Sequence, residues 1–550
     1  MSASSSISAS AAAQLQPLFY FLTNSLSKVE ETFDSIPGSA VIARYVRSSH
    51  QNDPWRTILE LILVIFAIRT LLQSRTPADR SGKHFISFSD KEIDDLVDEW
   101  QPEPLVKALT PAQQAELASV PVIVGAPGPK PKIQSPGNSN KTMTVTNLAG
   151  LNFTGLAGNE EIKERAVNLL REYGLGACGP PGFYGTVDVH QTLERDIASF
   201  LGTESAIIYS QDFSTISSVI PAFCKRGDII IADRGVNFAI HLGIKLSRST
   251  VRWYDHNDMN SLEEVVIGVT KELKKKRAPL TRHFIITEGI FENDGVVSDL
   301  PKLVELKKKY KYRLMLDESY SFGTVGRTGR GLTELYNVPA DQVDMIVGAM
   351  SHSLNATGGF CAGSRVAVEH QRINGTAFVF SASMPIMLAM AASEGIAKLT
   401  TTPSILTDLH ANIFAIRSVL DKLDCITIPS HPASAIIHIY IRNSSTPSGH
   451  LHPEAAAKKR PSNPLQLITR EAPPPTPEEI AVEERLLQEV VDEALAQGVL
   501  LTRAQRVHGH ETVEPRPSIR IAASAALTKK ETEKAVAVVK NALVKVLGRR

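Results

Sequence analysis

Ile229-Ile-Ile-Ala232 is one of five short apolar runs that decide the fold of this 550-residue chain. The other four are Ala206-Ile-Ile-Tyr209, Phe284-Ile-Ile-Thr287, Leu314-Met-Leu316 and Met345-Ile-Val347. Such runs are typical of strands buried on both faces of a parallel sheet. Segments of helical period separate them: Gln191–Leu201, Thr215–Lys225, Ser261–Lys275 and Leu300–Tyr310. This alternation predicts a large α/β domain over residues 146–400, with ligands beyond the carboxyl ends of its strands.

A smaller α+β domain is expected over residues 401–550. Its predicted elements are helix Ser404–Leu423, strand Ala435–Ile441, helix Pro477–Gln497, strand Ser518–Ile521 and helix Lys529–Leu547. Residues 443–478 are rich in Pro, Ser and Ala, which predicts a flexible surface insertion.

The segment before the large domain predicts a membrane anchor. Residues 1–54 begin with low-complexity Ser and Ala and are expected to be disordered or amphipathic. Residues 55–76 are densely apolar but contain Glu60 and Arg69 on opposite helix faces, so we predict one transmembrane helix. The alternative is an amphipathic or buried helix. A juxtamembrane segment would follow over 77–145, and the basic residues after the helix favour a cytosolic body.

Charge and cysteine usage exclude several classes of function. The net charge of +1 gives no electrostatic case for nucleic acid. The four cysteines are scattered, without a Cys-x-x-Cys pair, so neither a disulfide framework nor a zinc site is predicted. Two His-x-His pairs, His450/His452 and His508/His510, lack a third ligand, and no metal site is expected.

One motif carries a resemblance to a known family. The run Gly348-Ala-Met-Ser-His-Ser-Leu-Asn-Ala-Thr-Gly-Gly-Phe360 combines a strand end, a polar turn and a Gly-Gly pair. It resembles the stretch of the α-oxoamine synthases in which a lysine holds pyridoxal phosphate (PLP) as a Schiff base. His352 stands at the lysine position, and an imidazole cannot form that bond because it lacks a primary amine. The chain is therefore expected to lack the family's chemistry on its own.

Further motifs in the same order narrow the resemblance to one branch of this family, the non-catalytic long-chain-base subunits of serine palmitoyltransferase. They are Asp98–Val106, Tyr173–Thr186, Gly359–Gly363, His370–Arg372 and Phe380–Pro385. The resemblance covers roughly residues 55 to 545 without the insertion. It implies a PLP fold-type I architecture, like that of aspartate aminotransferase, with a mostly parallel sheet in the large domain.

The resemblance also assigns the positions around the cofactor. Asp317 matches the aspartate that pairs with the pyridine nitrogen of PLP, and here it is either vestigial or a cap of the following turn. Tyr320 and Phe238 stand where the family has histidines, one of which stacks on the cofactor ring. Arg520 matches the position that binds the amino-acid carboxylate, and we expect it to be structural here. With His352, three PLP-handling positions are changed, so the pocket is predicted to be inactive.

Other residues of this chain resemble those that family members place at their dimer interface. Ser381 and Ser383 match hydroxyls that bond the PLP phosphate of the neighbouring subunit, and capping of the helix after Pro385 is their alternative role. In the loop Gly176–Gly185, the residues Cys178, Phe183 and Tyr184 are candidates for interface contacts, with an exposed loop as the alternative.

The resemblance implies a subunit of a membrane-bound serine palmitoyltransferase, which condenses L-serine with palmitoyl-CoA to 3-ketosphinganine in sphingolipid biosynthesis. A lysine-bearing partner subunit would hold PLP, and small membrane regulatory subunits are expected. The resemblance places the complex in the endoplasmic reticulum membrane. Two alternatives stay open: a self-sufficient homodimeric PLP enzyme, and a purely structural scaffold.

Overall fold

The computed structural model describes residues 38–52, 54–72, 88–102, 104–106, 108–135, 138–276, 279–442, 476–505, 511–512 and 515–548. The chain divides into two compact units, Met1–Ala108 and Leu109–Arg550. The residues of the two domains predicted from the sequence, 146–400 and 401–550, all fall in the second unit.

The first unit contains three described helices, α1 Ser39–Asn52, α2 Pro54–Leu72 and α3 Asp90–Glu99. Helix α2 covers most of the predicted membrane span, but three charged residues interrupt its apolar character: Arg56, Glu60 and Arg69. Among the described residues, none of the helices combines the length and the apolar character needed to cross a membrane. The span predicted for residues 55–76 is therefore not supported, because these charges offset the hydropathy of the apolar side chains.

The second unit has fourteen described helices and sixteen strands. The helices are α4 Pro111–Ser119, α5 Glu160–Tyr173, α6 Asp188–Leu201, α7 Asp212–Phe223, α8 Phe238–Ser247, α9 Met259–Lys276, α10 Leu300–Tyr310, α11 Leu332–Leu335, α12 Arg365–Asn374, α13 Thr376–Val379, α14 Ile386–Thr401, α15 Ser404–Leu420, α16 Pro477–Ala496 and α17 Lys529–Leu547. The strands are β1 Val122–Val124, β2 Lys132–Ser135, β3 Asn138–Thr144, β4 Thr146–Asn147, β5 Ser205–Tyr209, β6 Ile229–Asp233, β7 Thr250–Tyr254, β8 His283–Glu288, β9 Arg313–Asp317, β10 Met345–Ala349, β11 Gly359–Gly363, β12 Ile426–Thr427, β13 Ile436–Ile441, β14 Val499–Leu500, β15 Thr502–Arg503 and β16 Ile519–Ala522.

A seven-stranded sheet in the order β5-β11-β10-β9-β8-β6-β7 forms the centre of the large domain. Four neighbouring pairs are parallel: β10-β9, β9-β8, β8-β6 and β6-β7. Strand β11 runs antiparallel to both β10 and β5. All five strands predicted from the sequence are confirmed. The sequence missed β7, whose side chains are only half-buried and so form no apolar run, and β11, whose glycines weaken the strand signal.

The small domain is built on the antiparallel sheet β12-β13-β16-β15, and α17 packs against α15 and α16. Its core includes Ile437, Ile521, Val539 and Leu543, all of them fully buried. The predicted α+β architecture is confirmed. Most of the predicted insertion, residues 443–475, lies outside the described residues, and α16 begins directly after it with Thr476 as its N-cap.

The register of the sheet brings acidic strand ends together. Glu288 at the end of β8 pairs with Asp317 at the end of β9, and Asp317 pairs with Val347 of β10. The chain then leaves β10 through the turn that carries His352. The predicted cofactor positions therefore share one edge of the sheet, where ligands bind in folds of this kind.

Candidate functional site

His352 is fixed in place by protein groups. Its Nδ1 donates a hydrogen bond to the backbone oxygen of Ser319, 3.0 Å away. The ring of Tyr320 stacks on the imidazole with 4.6 Å between ring centroids, and Phe153 meets it edge-on at 6.2 Å. His352 and Tyr320, two of the positions that differ from the family pattern, therefore pack directly against each other.

Asp317 is buried and caps the turn that follows β9. Its Oδ1 accepts hydrogen bonds from the backbone nitrogen of Ser319 at 3.0 Å and from the Ser319 hydroxyl at 2.5 Å. Burial raises the pKa of Asp317 to about 6, against the hydrogen bonds from Ser319 that lower it. The turn-capping role, one of the two alternatives for this residue, is confirmed by these contacts.

Glu288 is a second buried carboxylate beside Asp317 that the sequence did not single out. Its Oε1 accepts a hydrogen bond from the backbone nitrogen of Asn237 at 2.6 Å, and its Oε2 accepts one from that of Glu292 at 2.9 Å. Burial, followed by the nearby charge of Asp317, raises the pKa of Glu288 well above its ordinary value. No local pattern along the chain indicates Glu288, because its pairing with Asp317 is set by strand register alone.

Phe238 stands at the start of α8, after Asn237, whose Oδ1 caps that helix by accepting a hydrogen bond from Ile240 at 3.1 Å. Its ring lies 5.6 Å from the ring of Phe213. The Phe238 side chain is thus packed against a phenylalanine of α7. The neighbouring Asn237 donates a long hydrogen bond from its Nδ2 to Oδ2 of Asp317, with 3.5 Å between the atoms.

The alternative role of Ser381 and Ser383 as caps of the next helix is wrong. Helix α14 begins at Ile386 with Pro385 at its N-cap and no side-chain cap. Both serines lie in the loop before it. The hydroxyl groups of Ser381 and Ser210, the residue after β5, form a hydrogen bond with 3.1 Å between their oxygens. The backbone nitrogen of Ser383 donates a hydrogen bond to the backbone oxygen of Gly179 at 2.9 Å.

The loop Gly176–Gly185 adjoins this serine pair and presents large apolar side chains to solvent. The side chains of Phe183 and Tyr184 are 77% and 70% exposed, and Cys178 is also exposed. Both aromatics are thus exposed in the single chain, as the alternative of an exposed loop expects, and their predicted contact with a partner stays a prediction. A Cβ at Gly185 would lie 2.0 Å from the backbone oxygen of Gly179, so the loop closes only with glycine there.

Arg520 lies on β16, across from His438 of β13. Its buried Nε has no hydrogen-bond partner among the residues that the structure describes. Burial raises the pKa of Tyr320 well above its ordinary value, and the positive charge of Arg520 opposes that shift. The guanidinium therefore lies within electrostatic range of the same pocket, and no structural hydrogen bond accounts for its Nε.

The described residues do not fit covalently bound PLP. The amine that PLP requires is replaced by an imidazole, and that imidazole is stacked under Tyr320. Both carboxylate oxygens of Asp317 accept hydrogen bonds from protein groups, Oδ1 from Ser319 and Oδ2 from Nδ2 of Asn237 at 3.5 Å. Within the described ranges, no group of three or more His, Cys, Asp or Glu side chains is arranged to hold a metal ion, and both His-x-His pairs lie outside them.

The model for class I and II aminotransferases matches residues 144–539. The chain belongs to that family. Among its relatives, serine palmitoyltransferase 1 of Saccharomyces cerevisiae is 37% identical over 92% of both chains, and serine palmitoyltransferase 1 of Dictyostelium discoideum is 39% identical over 82% of this chain and 86% of its own. Long chain base biosynthesis protein 1b of Oryza sativa is 42% identical over 65% of this chain and 72% of its own. Within the aminotransferase family, the chain is therefore one of the serine palmitoyltransferase 1 proteins.

Solved structures confirm the fold. A serine palmitoyltransferase with a PLP internal aldimine aligns with a TM-score of 0.64 at 18% identity, over 83% of this chain and 98% of its own. The 8-amino-7-oxononanoate synthase of Francisella tularensis aligns with a TM-score of 0.56 at 18% identity, over 73% of this chain and 98% of its own. The predicted PLP fold-type I architecture of the globular body is thereby confirmed.

Proposed function

We propose that this chain is the non-catalytic subunit of a serine palmitoyltransferase, the complex that condenses L-serine with palmitoyl-CoA to 3-ketosphinganine. A homologous partner subunit supplies the lysine and holds PLP. The observation that carries the proposal is His352, which has no primary amine and is held between Ser319 and Tyr320. Relatives named serine palmitoyltransferase 1 support the assignment to this complex.

The chain contributes hydroxyl groups to the partner's cofactor site. Ser381 and Ser383 lie in one loop beside Gly179, next to the exposed aromatics Phe183 and Tyr184. A second subunit that covers these aromatics would bring its own site close to the two hydroxyls. Neutral hydroxyls suit a phosphate because each can donate a hydrogen bond to it without adding a counter-charge.

Replacing both serines by alanine tests this contribution. The variant Ser381→Ala/Ser383→Ala is expected to assemble with the partner but to bind PLP about tenfold more weakly or worse, since each hydrogen bond to a charged group is worth roughly 1.5–3 kcal/mol. The measurement is PLP affinity and turnover of the purified complex.

Ser404→Ala, at an exposed position of α15, is the matched control. Normal assembly together with unchanged turnover and PLP affinity in the double variant would refute the contribution of these serines, and would favour the alternative of a purely structural scaffold.

The other alternative is a self-sufficient homodimer. Such an enzyme, purified alone, would bind PLP covalently, and borohydride would attach the cofactor to a lysine of this chain. Our proposal expects no covalent PLP on the isolated chain, and full activity only after the lysine-bearing subunit is added.

We also propose that the complex works at the endoplasmic reticulum membrane with its body in the cytosol, alongside small membrane subunits. Trp55, Leu59, Phe66 and Leu72 of α2 are exposed, and lipid or another apolar helix would remove such side chains from water. Glu60 accepts a 3.0 Å hydrogen bond from Arg56, which lowers the cost of placing this carboxylate in an apolar setting. Fractionation of cells that express the chain with α2 intact or polar-substituted would test this localisation.

A further inference from the structure

The edge of the central sheet opposite the candidate site carries a dense group of basic side chains. Strands β6, β7, β8 and β9 begin there in register, because Ile229 pairs with both Thr250 and His283, and Phe284 pairs with Arg313. The chain is basic just before each of these strands. We call this group the basic edge, and its members are Lys225, Arg226, Lys245, Arg248, Lys274, Lys275, Lys308, Lys311 and Arg313.

The basic edge is exposed and lacks compensating acidic groups. All of its side chains are exposed, and none of them forms an ion pair within the described part of the chain. The nearby acidic residues already pair with other cations, as in Lys276–Glu272 and Arg282–Asp228. Because the whole chain has a net charge of only +1, this excess is a local segregation of charge.

Helix capping explains only part of the basic edge. Cations near the last turn of a helix interact favourably with its dipole, which accounts for Lys245, Lys274, Lys275 and Lys308. Arg248 and Lys311 are the C-cap residues of α8 and α10. Arg226 lies in a turn and Arg313 is the first residue of β9, so neither belongs to a helix end. The helix dipole therefore does not account for these two cations.

Two exposed leucines stand among these cations. Leu280 follows the lysine-rich end of α9 and is fully exposed, and Leu246 lies beside Lys245 with its side chain 55% exposed. Exposed leucines next to lysines and arginines are typical of surfaces that meet the interface of a bilayer, where cations bind anionic headgroups and apolar side chains enter the acyl boundary.

We propose that the basic edge docks the globular body on an anionic lipid surface, with Leu280 inserted between headgroups. The turns form one row across four neighbouring strands, a span of about 14 Å, and such a row suits a flat surface better than a groove. Nucleic acid fits less well, because Tyr312, the large aromatic just before β9, is buried and not exposed for base stacking. The inference does not depend on the proposed activity, since lipid binding requires neither PLP nor a partner.

Vesicle flotation of the full chain tests the proposal. Vesicles of phosphatidylcholine alone are compared with vesicles that also contain phosphatidylserine, so that apolar binding through α2 contributes equally to both. Phosphatidylserine is expected to increase the bound fraction, and high salt is expected to remove the increase. The variant Lys274→Glu/Lys275→Glu should lower the phosphatidylserine-dependent partition coefficient at least about tenfold, since each basic residue near such a surface contributes about 1 kcal/mol.

Lys529→Glu/Lys530→Glu is the matched control, because these lysines are equally exposed but lie at the start of α17 in the small domain. Lys274→Gln/Lys275→Gln, with an unchanged thermal midpoint, guards against misfolding caused by charge reversal at a helix end. In the variant Leu280→Trp, brominated acyl chains should quench more fluorescence than they do in the parent chain.

Three results would overturn the proposal. One is equal phosphatidylserine dependence in the parent chain and the Lys274/Lys275 variants, and another is an equal loss in the Lys529/Lys530 control. The third is binding of a single-stranded RNA through the same lysines without any increase on phosphatidylserine.

Discussion

At the scale of residues, the proposed non-catalytic role depends on His352, because only a primary amine can form a Schiff base with PLP. The His352 imidazole, whose Nδ1 donates a hydrogen bond to the backbone oxygen of Ser319, has no primary amine, and Tyr320 covers its face. The neighbouring Phe238 packs against Phe213. Three side chains at positions that the family resemblance assigns to cofactor handling thus contact other groups of the protein itself.

We expect that a lysine at this one position does not restore PLP binding. In His352→Lys, the new side chain would enter the space beside Tyr320, while Asp317 still caps its own turn. Borohydride reduction followed by mass spectrometry of the isolated variant should therefore find no attached pyridoxal. The triple variant His352→Lys/Tyr320→His/Phe238→His is the comparison and should take up more cofactor. Pyridoxal on the single variant at the level of the triple variant would contradict this account.

At the scale of elements, the loop Gly176–Gly185 depends on two close approaches of its backbone. A Cβ at Gly179 would lie 2.3 Å from Cε2 of Tyr184, and one at Gly185 would lie 2.0 Å from the oxygen of Gly179. Gly179 also accepts the hydrogen bond from Ser383. The glycines therefore decide where the exposed aromatics and the serine loop lie.

Gly185→Ala is expected to weaken assembly with the lysine-bearing subunit by more than about tenfold. The added methyl group would push Gly179 away and displace Phe183 and Tyr184, and aromatic anchors of this kind are often worth 2 kcal/mol or more at an interface. Gly182→Ala is the matched control in the same loop, because nothing lies within 4 Å of its Cβ. Equal dissociation constants for the two variants, measured by a binding titration, would show that the loop geometry does not matter for assembly.

At the scale of the whole second unit, a buried ion cluster joins several elements at the site edge of the sheet. His256 lies between Asp233 and Asp294, with 2.8 Å from Nδ1 to the first carboxylate and 2.8 Å from Nε2 to the second. The backbone oxygen of Asp294 accepts a 2.5 Å hydrogen bond from Ser430 of the small domain. The cluster thus connects β6, the turn after β7, the turn after β8 and the small domain.

This cluster predicts a loss of stability at alkaline pH. Burial by itself would lower the pKa of His256, but the charges and hydrogen bonds of Asp233 and Asp294 raise it well above its ordinary value. A raised pKa in the folded state stabilises the fold fully below about pH 6.5, and the gain is lost as the pH rises through the folded-state pKa. Urea unfolding at increasing pH should show this decline in the parent chain.

The decline should be absent from His256→Gln, whose free energy of unfolding we expect to be lower by about 3–5 kcal/mol, because two buried carboxylates lose their cation. His283→Gln is the control, since burial lowers the pKa of His283 and its titration lies below this range. An alkaline decline of the same size in His256→Gln would assign the effect to another group.

Much of the candidate site could be predicted from residue types and their order along the chain. The identity of His352 already excludes a Schiff base at that position, and the alternation of apolar runs with helical segments predicts the parallel sheet. Glu288 could not be found in this way, because its importance arises from pairing with Asp317 across two strands. Whether Ser381 and Ser383 cap the following helix also depended on the position at which α14 begins.

The sequence by itself determined the absence of a cofactor amine and the α/β class, because both depend on side-chain chemistry and on periodicity along the chain. Only the tertiary structure decided that Tyr320 covers His352, that two carboxylates share one buried edge, and that the basic turns before four strands form a single surface. These features come from strand register and loop packing, which join residues far apart in sequence and leave no local pattern.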